Sequence, residues 1–447
     1  MATIGLELAD AALLAVRDGA EVAASPGVVL FAPAGLVAGA AAAAAARLRP
    51  ALVVDRHWSE LSAEIPARPG VDRRTHADLA AAQLAALWRE IGADGDVLAL
   101  AVPGTLRLRQ LGLVLGITRH LGIPVAGSVD AAVAACADLA ARATVLHLDL
   151  HFHQAVLTVL DGAQRLRRQQ VAVTPHVGLR ALHAVWAQLV SDAMVRSTRF
   201  DPLHEAATEQ RLHDLLPEWL AALHSAAEVE AVLTARSGGF AVTVSRAAFV
   251  TAAEAYYTQL IELVQAHQPA GATATLALSA RAAGLPGLAD RLAESPGIEV
   301  TRIARTAAAD GAARHLAGNG AGSEPTLMIA LPRAHSLAPA QAAPPQRGPL
   351  PTHVLLGGRA HALAAGPLVL GAAPGAGRTL TLSAAAAGLS RRHCTLEARS
   401  GTVVVRDHSR FGTFVNGARV EGEAPLVAGD RLRLGTPGVV LELVAVD

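Results

Sequence analysis

Residues 407–417 read Asp-His-Ser-Arg-Phe-Gly-Thr-Phe-Val-Asn-Gly, and this stretch decides the fold of the C-terminal part of the chain. Asn416 and Gly417 follow a strand-like run, and because both residue types tolerate a positive φ, the pair predicts a hairpin turn. Similar short alternating runs lie on either side, at residues 353–356, 368–370, 379–382, 394–398, 403–406, 413–415, 431–434 and 439–446. Many short strands separated by turn residues favour a β-sandwich.

Four separated motifs follow one another in this region. They are Gly371, Ser390-Arg391-Arg392-His393, Asp407–Gly417 and Gly429–Gly435. Their order resembles that of the forkhead-associated (FHA) domain family, and the match covers nearly all of residues 352–447. The resemblance implies an all-β FHA-type sandwich whose loops bind a protein partner.

The FHA resemblance also implies which residues form the site. Hydroxyl and guanidinium groups are good ligands for phosphate, so Ser390 and Arg391 are expected to face the phosphate of a phosphothreonine. His393 is expected to support the loop beneath that surface. The implied peptide- and phosphate-binding residues are Ser390, Arg391, Arg410 and Phe411. The implied structural residues are Gly371, His393, Gly412, Asn416 and Gly417.

This sequence departs from the family at two points. The family usually has an arginine where this chain has Ala372, and a Thr-Asn pair where it has Arg410 and Phe411. These changes remove hydrogen bonds worth on the order of several kcal/mol. Either Arg410 or Arg378 supplies the missing charge, or the surface binds its partner without phosphate, with Phe411 as an apolar anchor. A third reading is that the residues at 390 and 391 only order a loop.

A proline-rich stretch separates this region from the rest of the chain. Residues 331–351 hold six prolines among Ala, Ser, Gln and Gly, which is typical of an extended linker. Before it, residues 1–330 alternate short apolar runs with longer amphipathic patterns. The pattern predicts an α/β domain of two lobes. Its clearest expected elements are strands at 97–102 and 145–150 and helices at 76–91 and 180–195.

The first 330 residues contain a series of weaker motifs. These are Ile4–Ala9, Leu36–Pro50, Ala99–Gly104, Asp130–Ala132, Val145–Gly162, Leu276–Leu288 and Gly311–Ala313. Their order resembles the actin and DnaK-type chaperone ATPase superfamily. The resemblance implies a two-lobed actin-like ATPase fold, a duplicated ribonuclease-H-like fold, in which two glycine-rich hairpins wrap the phosphates of ATP with backbone N–H groups.

The glycines that such hairpins need are absent. The first hairpin has Ala9 and Asp10, and a carboxylate there would repel a triphosphate. The second has side chains at residues 151–153, and the chain contains no lysine for catalysis. Glu7 and Asp149 remain as two carboxylates that could hold Mg²⁺ through water. We therefore predict a pseudo-ATPase without catalytic residues, with ATP and Mg²⁺ as its only candidate cofactors.

Alternating histidines raise a separate possibility of a metal site. His147, Asp149, His151 and His153 would share one face of an unbroken strand, a spacing that can ligate zinc. The ATPase resemblance places a turn after Leu150, which would separate the last two from the first two. We therefore predict no metal site.

Composition narrows the partners and the compartment. The formal net charge is +0, which gives no electrostatic case for binding nucleic acid or an anionic membrane. Residues 28–46 carry no charge, but Pro and Gly interrupt them, and they indicate a buried strand followed by an Ala-rich helix. The two cysteines cannot form a disulfide framework, and the first ten residues lack a secretory n-region. These features predict a cytosolic protein.

Taken together, the sequence predicts a cytosolic adaptor or regulatory protein. Its FHA domain would bind a protein partner, phosphothreonine-containing or not, and its degenerate ATPase-like domain would serve as a scaffold. The alternative is a divergent ATP-binding or ATP-hydrolysing chaperone-like protein coupled to phosphothreonine recognition.

Overall fold

The chain divides into two compact units, Met1–Ala338 and Pro339–Asp447. The computed structural model describes residues 2–64, 74–236, 238–269, 272–318, 327–334, 350–356, 359–375, 377–382, 389–399, 401–416, 418–420, 422–435 and 438–446. Most of the predicted linker, residues 335–349, and the predicted site residue Gly417 lie outside these ranges.

The first unit is a mixture of strands and helices. Its described strands are β1 (Thr3–Leu8), β2 (Leu13–Arg17), β3 (Ala20–Ser25), β4 (Val29–Ala32), β5 (Gly35–Ala38), β6 (Val53–Val54), β7 (Val97–Val102), β8 (Val125–Asp130), β9 (Val145–Leu150), β10 (Gln154–Asp161), β11 (Arg165–Pro175), β12 (Glu228–Ala235), β13 (Gly238–Ser245), β14 (Ala274–Leu278), β15 (Ile298–Arg302), β16 (Leu327–Met328) and β17 (Ala330–Pro332). Its described helices are α1 (Ala40–Ala43), α2 (His76–Ile91), α3 (Leu108–His120), α4 (Ala131–Cys136), α5 (Leu179–Thr198), α6 (Ala206–Ala222), α7 (Arg246–Ala252), α8 (Glu254–His267), α9 (Ala280–Ala283), α10 (Leu288–Ala293) and α11 (Ala307–Leu316), with a 3-10 turn at Pro50–Leu52.

The two six-stranded sheets of the first unit share a five-stranded pattern. One sheet has the order β16-β8-β7-β1-β2-β3 and the other β15-β14-β9-β10-β11-β17. In the first, β1, β2 and β3 form an antiparallel meander, and β7 and β8 run parallel to β1. In the second, β9, β10 and β11 form the meander, and β14 and β15 run parallel to β9. Five strands of each sheet therefore repeat one pattern, and the sixth differs: β16 lies beside the parallel strands and β17 beside the meander.

The sequences of the central strands explain their position. The strand β7 reads VLALAV and β9 reads VLHLDL, and every residue of these two strands except the first of β7 is buried. Strands that are buried on both faces need such nearly continuous apolar runs. Both strands have the predicted bounds, and so does the helix α2, which begins with a capping box formed by Thr75 and Asp78.

The stretch at residues 28–46 differs from its prediction. The expected buried strand is present as β4, but β5 pairs with it as an antiparallel hairpin, and the Ala-rich helix shrinks to the single turn α1. Gly35 permits this hairpin with a φ of 126°, which an alanine would not adopt readily. Among the described residues, no helix is both long enough and apolar enough to cross a membrane.

The helices α4 and α11 of the first unit are in close contact. A Cβ at Gly311 of α11 would lie 2.2 Å from the carbonyl oxygen of Ala134, a backbone atom that cannot move away alone. We expect Gly311→Ala to lower the free energy of unfolding by about 2 kcal/mol or more, because overpacking forces the helices apart. Urea unfolding followed by tryptophan fluorescence measures this, since all four tryptophans lie in the first unit.

The matched control is Gly112→Ala in α3. No atom of the described residues lies within 4 Å of a Cβ at Gly112, so this change is expected to be neutral or to stabilise the protein by about 0.5–1 kcal/mol through helix propensity. Equal effects of the two substitutions would show that the α4–α11 contact is not as tight as described.

The second unit consists of strands in its described residues. They are β18 (His353–Leu356), β19 (Arg359–Ala362), β20 (Leu368–Gly371), β21 (Thr379–Thr381), β22 (Cys394–Arg399), β23 (Thr402–Asp407), β24 (Thr413–Val415), β25 (Ala418–Arg419), β26 (Glu423–Leu426), β27 (Arg431–Leu434) and β28 (Val439–Val444). Two sheets form, β19-β18-β28-β27-β24-β25 and β21-β20-β22-β23-β26. Alternate residues of both sheets share one buried core, as the predicted β-sandwich requires.

Candidate functional site

A buried histidine joins two loops at one end of the sandwich. His393, just before β22, is fully buried, and its Nδ1 accepts a hydrogen bond from the backbone N–H of Ser390 at 3.1 Å. Its Nε2 donates to the carbonyl oxygen of Gly412 at 3.1 Å. Burial lowers the pKa of His393, so the imidazole is neutral and can accept at one nitrogen while donating at the other. The two loops are thereby held in a fixed relation.

The hydroxyl of Ser390 adds a second link between the same loops. Its Oγ accepts a hydrogen bond from the backbone N–H of Arg410 at 3.0 Å. The Oδ1 atom of Asp407 accepts bonds from the backbone N–H of Ser409 at 2.9 Å and from the hydroxyl of Thr413 at 2.8 Å. These contacts bring the predicted binding residues at 390, 391, 410 and 411 into one neighbourhood.

Gly371 lies at the end of β20 with its backbone against the 390–391 loop. A Cβ on it would be 2.0 Å from the carbonyl oxygen of Arg391. The next two residues donate their N–H groups to the carbonyl oxygens of Ser390 and Arg391 at 3.0 Å each. Glycine is required here because the two backbones approach too closely for a side chain.

The turn predicted at Asn416 is stabilised by hydrogen bonds of the Asn416 side chain. The φ of Asn416 is 50°, in the left-handed region, and the φ of Gly412 is 81°. The Nδ2 atom of Asn416 donates to Asp430 at 2.7 Å, and its Oδ1 accepts from the backbone N–H of Arg431 at 2.9 Å. Two side-chain hydrogen bonds therefore tie the turn after β24 to the start of β27.

The exposed part of this surface is cationic and apolar. Arg391, Arg392 and Arg410 are exposed, and Phe411 keeps 48% of its surface accessible. Arg378, the other predicted source of the charge missing at position 372, donates two of its five N–H groups to the carbonyl oxygens of Ala362 and Gly366.

A second candidate site joins the two six-stranded sheets of the first unit. Glu7 is the last residue but one of β1, and Asp149 is the last residue but one of β9, so the two carboxylates occupy equivalent places in the two sheets. Arg281 of α9 forms ion pairs with both. Its Nη2 contacts Glu7 and lies 2.7 Å from Oδ2 of Asp149, while its Nε lies 3.0 Å from Oδ1 of Asp149.

Arg281 neutralises the two acids that the sequence offered as Mg²⁺ ligands. Burial opposes the charged form of Asp149, but the guanidinium outweighs burial and holds the pKa of that carboxyl well below its usual range. Burial likewise opposes the charge on Arg281, and the two carboxylates raise its pKa. The positive charge that balances the two carboxylates is therefore supplied by Arg281, a residue of the chain itself.

Side chains fill the space between the two hairpin turns. The Oδ1 atom of Asp10 accepts a hydrogen bond from the backbone N–H of Phe152 at 2.8 Å. The imidazole of His151 lies 3.4 Å from Asp10 and 3.6 Å from Asp149, and all of these side chains are buried. The positions where the ATPase resemblance expects glycine backbone are therefore occupied by packed side chains.

The alternating histidines do not share a face. The strand β9 ends at Leu150, and the turn before β10 carries His153 away to Asp55, whose Oδ1 lies 3.3 Å from its Nε2. Within the described ranges, no group of three His, Cys, Asp or Glu side chains has a geometry that could hold a metal ion.

Sequence reasoning did not assign Arg281 its role. The residue lies in Leu276–Leu288, one of the segments that resemble the ATPase superfamily, and it is 132 positions from Asp149 in the chain. The available signal was indirect: two acids at strand ends that point into a protein interior require a cation from elsewhere.

Three histidines, one buried and two half-buried, make the first unit sensitive to acid. Burial lowers the pKa of His57 and His183 to about 4 and that of His213 to about 3, from an ordinary value of 6.5. The unfolded chain therefore binds more protons between pH 6.5 and 4, so their contribution is complete above pH 6.5 and is lost as pH falls. We expect each of these histidines to lower the free energy of unfolding by about 1–2 kcal/mol when the pH falls to 5.

Urea unfolding at pH 7.5 and pH 5, followed by tryptophan fluorescence, measures this loss. His57→Leu removes one titrating group and is expected to shrink the difference between the two pH values, although loss of the 2.9 Å contact to Gln83 lowers stability at both. An unchanged pH difference in that variant would contradict the assignment.

A comparison with known protein families finds a match in the C-terminal part of the chain. No curated protein matches the chain. Residues 371–435 match the family model described as FHA domain, and this range contains all nine residues of the site that the sequence analysis predicted in the sandwich. The C-terminal β-sandwich of this protein is an FHA domain.

Proposed function

We propose that this protein is an adaptor that binds a protein partner through the loops of its FHA domain. The observation that carries the proposal is the bridge made by His393 between Ser390 and Gly412. Because the bridge is buried and fully hydrogen-bonded, the loops are ordered before a partner arrives, and binding costs less conformational entropy. Phe411 offers an exposed aromatic anchor beside exposed arginines.

Phosphothreonine is the ligand class that we propose for this surface. Arg391 and Arg410 are exposed on the two bridged loops, and the Ser390 hydroxyl lies between them through its bond to the Arg410 backbone. A phosphate placed there would receive charge-assisted hydrogen bonds. A surface that binds its partner without phosphate, through Phe411 alone, is the second candidate.

Binding of the full-length chain to matched peptide libraries tests both candidates. Each peptide would be presented with threonine and with phosphothreonine. We expect phosphorylated members to bind and Arg391→Ala to abolish their advantage, with Arg399→Ala, at the far end of β22, as the matched control. Equal binding of both forms, lost in Phe411→Ala, would favour the second candidate. Binding of no peptide would refute the proposal.

For the first unit we propose a two-lobed actin-like fold, a duplicated ribonuclease-H-like fold, that works as a scaffold without ATP hydrolysis. The repeated order of a three-stranded meander beside two parallel strands supports the fold. The ion pairs of Arg281 with Glu7 and Asp149 support the lack of activity, because a guanidinium stands where a divalent cation would be needed.

We place this adaptor in the cytosol and divide it into residues 1–330, 331–351 and 352–447.

Calorimetric titration with Mg²⁺ and ATP tests the scaffold proposal. We expect no measurable heat of binding for the full-length chain. Strong binding that depends on Mg²⁺ and disappears in Asp149→Ala would overturn the proposal and restore an ATP-dependent chaperone-like activity. Because the peptide and ATP experiments address different units, either proposal can fail without the other.

A further inference from the structure

A cavity of about 600 Å³ lies between the lobes of the first unit, beside the Arg281 ion pairs. Residues from β2, α5, α6 and the segments around α9 form its walls. A volume of this size is typical of sites for small organic molecules. Most of the wall is apolar, and its larger apolar side chains are Leu14, Val28, Leu179, Leu220, Leu285 and Ile303.

Two polar side chains on α5 converge on this cavity. Arg180 and His183 are three residues apart, so they lie on the same face of the helix, and both line the cavity. The guanidinium of Arg180 lies 4.2 Å from the ring centroid of Phe152 and donates through Nε to Asp55 at 3.0 Å. That bond uses one of five donors, so others remain for a ligand.

The imidazole of His183 has no hydrogen-bond partner among the described residues. Among the residues that the structure describes, no group forms a hydrogen bond with its ring, and its ring contact is with Trp186, at 6.2 Å between centroids. The side chain is half-buried and lines the cavity, so a ring nitrogen without a protein partner is available to a bound molecule. A ligand acceptor in the cavity would satisfy it.

The charges around the cavity favour an anion. Its lining holds three arginines and two carboxylates, and both carboxylates, Glu7 and Asp149, are taken by Arg281. The other two arginines, Arg180 and Arg305, each form an ion pair with one acid that does not line the cavity. Burial and then the positive charges of Arg180 and Arg47 lower the pKa of His183, which agrees with a positive potential there.

We propose that this cavity binds a small organic anion with an apolar body, whose anionic group contacts Arg180 and His183. The apolar walls would take the body of the molecule, and the two α5 side chains would fix its charged end. This activity is separate from peptide binding by the FHA domain. It also needs no phosphate-binding hairpin, so it survives the loss of the glycines at residues 9 and 151–153.

A pair of fluorescent probes that differ only in charge tests the proposal in the full-length chain. The probe 8-anilinonaphthalene-1-sulfonate carries an aromatic body and one anionic group, and N-phenyl-1-naphthylamine has the same body without the charge. We expect the anionic probe to bind with one-to-one stoichiometry and at least about 10-fold more tightly than the neutral probe, because charge-assisted hydrogen bonds discriminate them.

Two exposed alanines of α6 are suitable for a pair of matched variants that test where the probe binds. Ala221 lines the cavity and Ala207 does not, and both are exposed, so a tryptophan at either position leaves the core intact. We expect Ala221→Trp to weaken the anionic probe at least about 10-fold and Ala207→Trp to leave its affinity unchanged. Equal affinities in the two variants would overturn the proposed location.

The role of the charged end is tested separately with His183→Leu, which preserves the shape of the site. We expect the preference for the anionic probe to fall about 10-fold while the neutral probe binds as before. A preference that stays the same, or a neutral probe that binds the unaltered protein as tightly as the anionic one, would refute the anion site.

Discussion

Replacing Arg281 with methionine is expected to lower the free energy of unfolding of the first unit by about 3–5 kcal/mol. The substitution keeps the length of the side chain but removes its charge. Glu7 and Asp149, whose side chains are only 7% and 11% exposed, would then face each other as unpaired carboxylates. An uncompensated buried charge costs far more than the net contribution of an intact ion pair.

Urea unfolding at pH 7.5, followed by tryptophan fluorescence, measures the effect of Arg281→Met. The matched control is Arg314→Met, because Arg314 also pairs with two acids, Asp138 and Asp310, but is 52% exposed. Exposed ion pairs contribute little, so the control is expected to lose less than about 1 kcal/mol.

A rescue experiment separates the loss of charge balance from the loss of packing. Adding Glu7→Gln and Asp149→Asn to Arg281→Met removes the unpaired charges and is expected to recover more than half of the lost stability. If the triple variant is no more stable than Arg281→Met alone, the unpaired charges are not the cause of the lost stability. Unaltered stability in the single variant would contradict the arrangement outright.

Local patterns in the sequence were sufficient for several elements. The strands β7 and β9 follow from apolar runs too continuous for a solvated face, and the helix α2 follows from its period and its Thr75 cap. The bend at Asn416 follows from residue types that accept a positive φ. In each case the physical cause lies within a few neighbouring residues, so the sequence carries it directly.

Contacts between distant residues could not be predicted in the same way. Nothing near Arg281 indicates that it joins Glu7, which is 274 positions away. The charge of Arg378 was visible in the sequence, but its hydrogen bonds to the backbone carbonyl groups of Ala362 and Gly366 were not. Tertiary structure decides which of many arginines meets which acceptor, and one sequence offers no signal for that choice.

Replacing Gly371 with alanine is expected to damage both the stability and the binding surface of the FHA domain. The new Cβ would lie 2.0 Å from the carbonyl oxygen of Arg391, so one of the two backbones must move. We expect a loss of about 2 kcal/mol or more, since a backbone atom cannot swing aside as the end of a flexible side chain can. Any shift of the 390–391 loop also displaces Ser390 from Arg410 and strains its bond to His393.

Hydrogen exchange measured by mass spectrometry reports this loss in residues 350–446, where no tryptophan is available. A loss of about 2 kcal/mol corresponds to roughly 30-fold faster exchange in the strands β20 and β22. The matched control is Gly401→Ala, in the turn that follows β22 at the end away from His393, with a φ of 77° and nothing within 4 Å of a new Cβ. This control carries only the local backbone strain of about 1–2 kcal/mol and leaves the loops in place.

The two variants should therefore differ most in peptide binding. Gly401→Ala is expected to bind the peptides selected by the unaltered protein with the same affinity, because the bridge made by His393 is untouched. Gly371→Ala is expected to bind them at least about 10-fold more weakly even at temperatures where its sandwich is folded, because a misplaced donor loses a charge-assisted bond. If a folded Gly371→Ala protein binds normally, the loop geometry at 390–391 is not what recognises the partner, and the site must lie elsewhere on the domain.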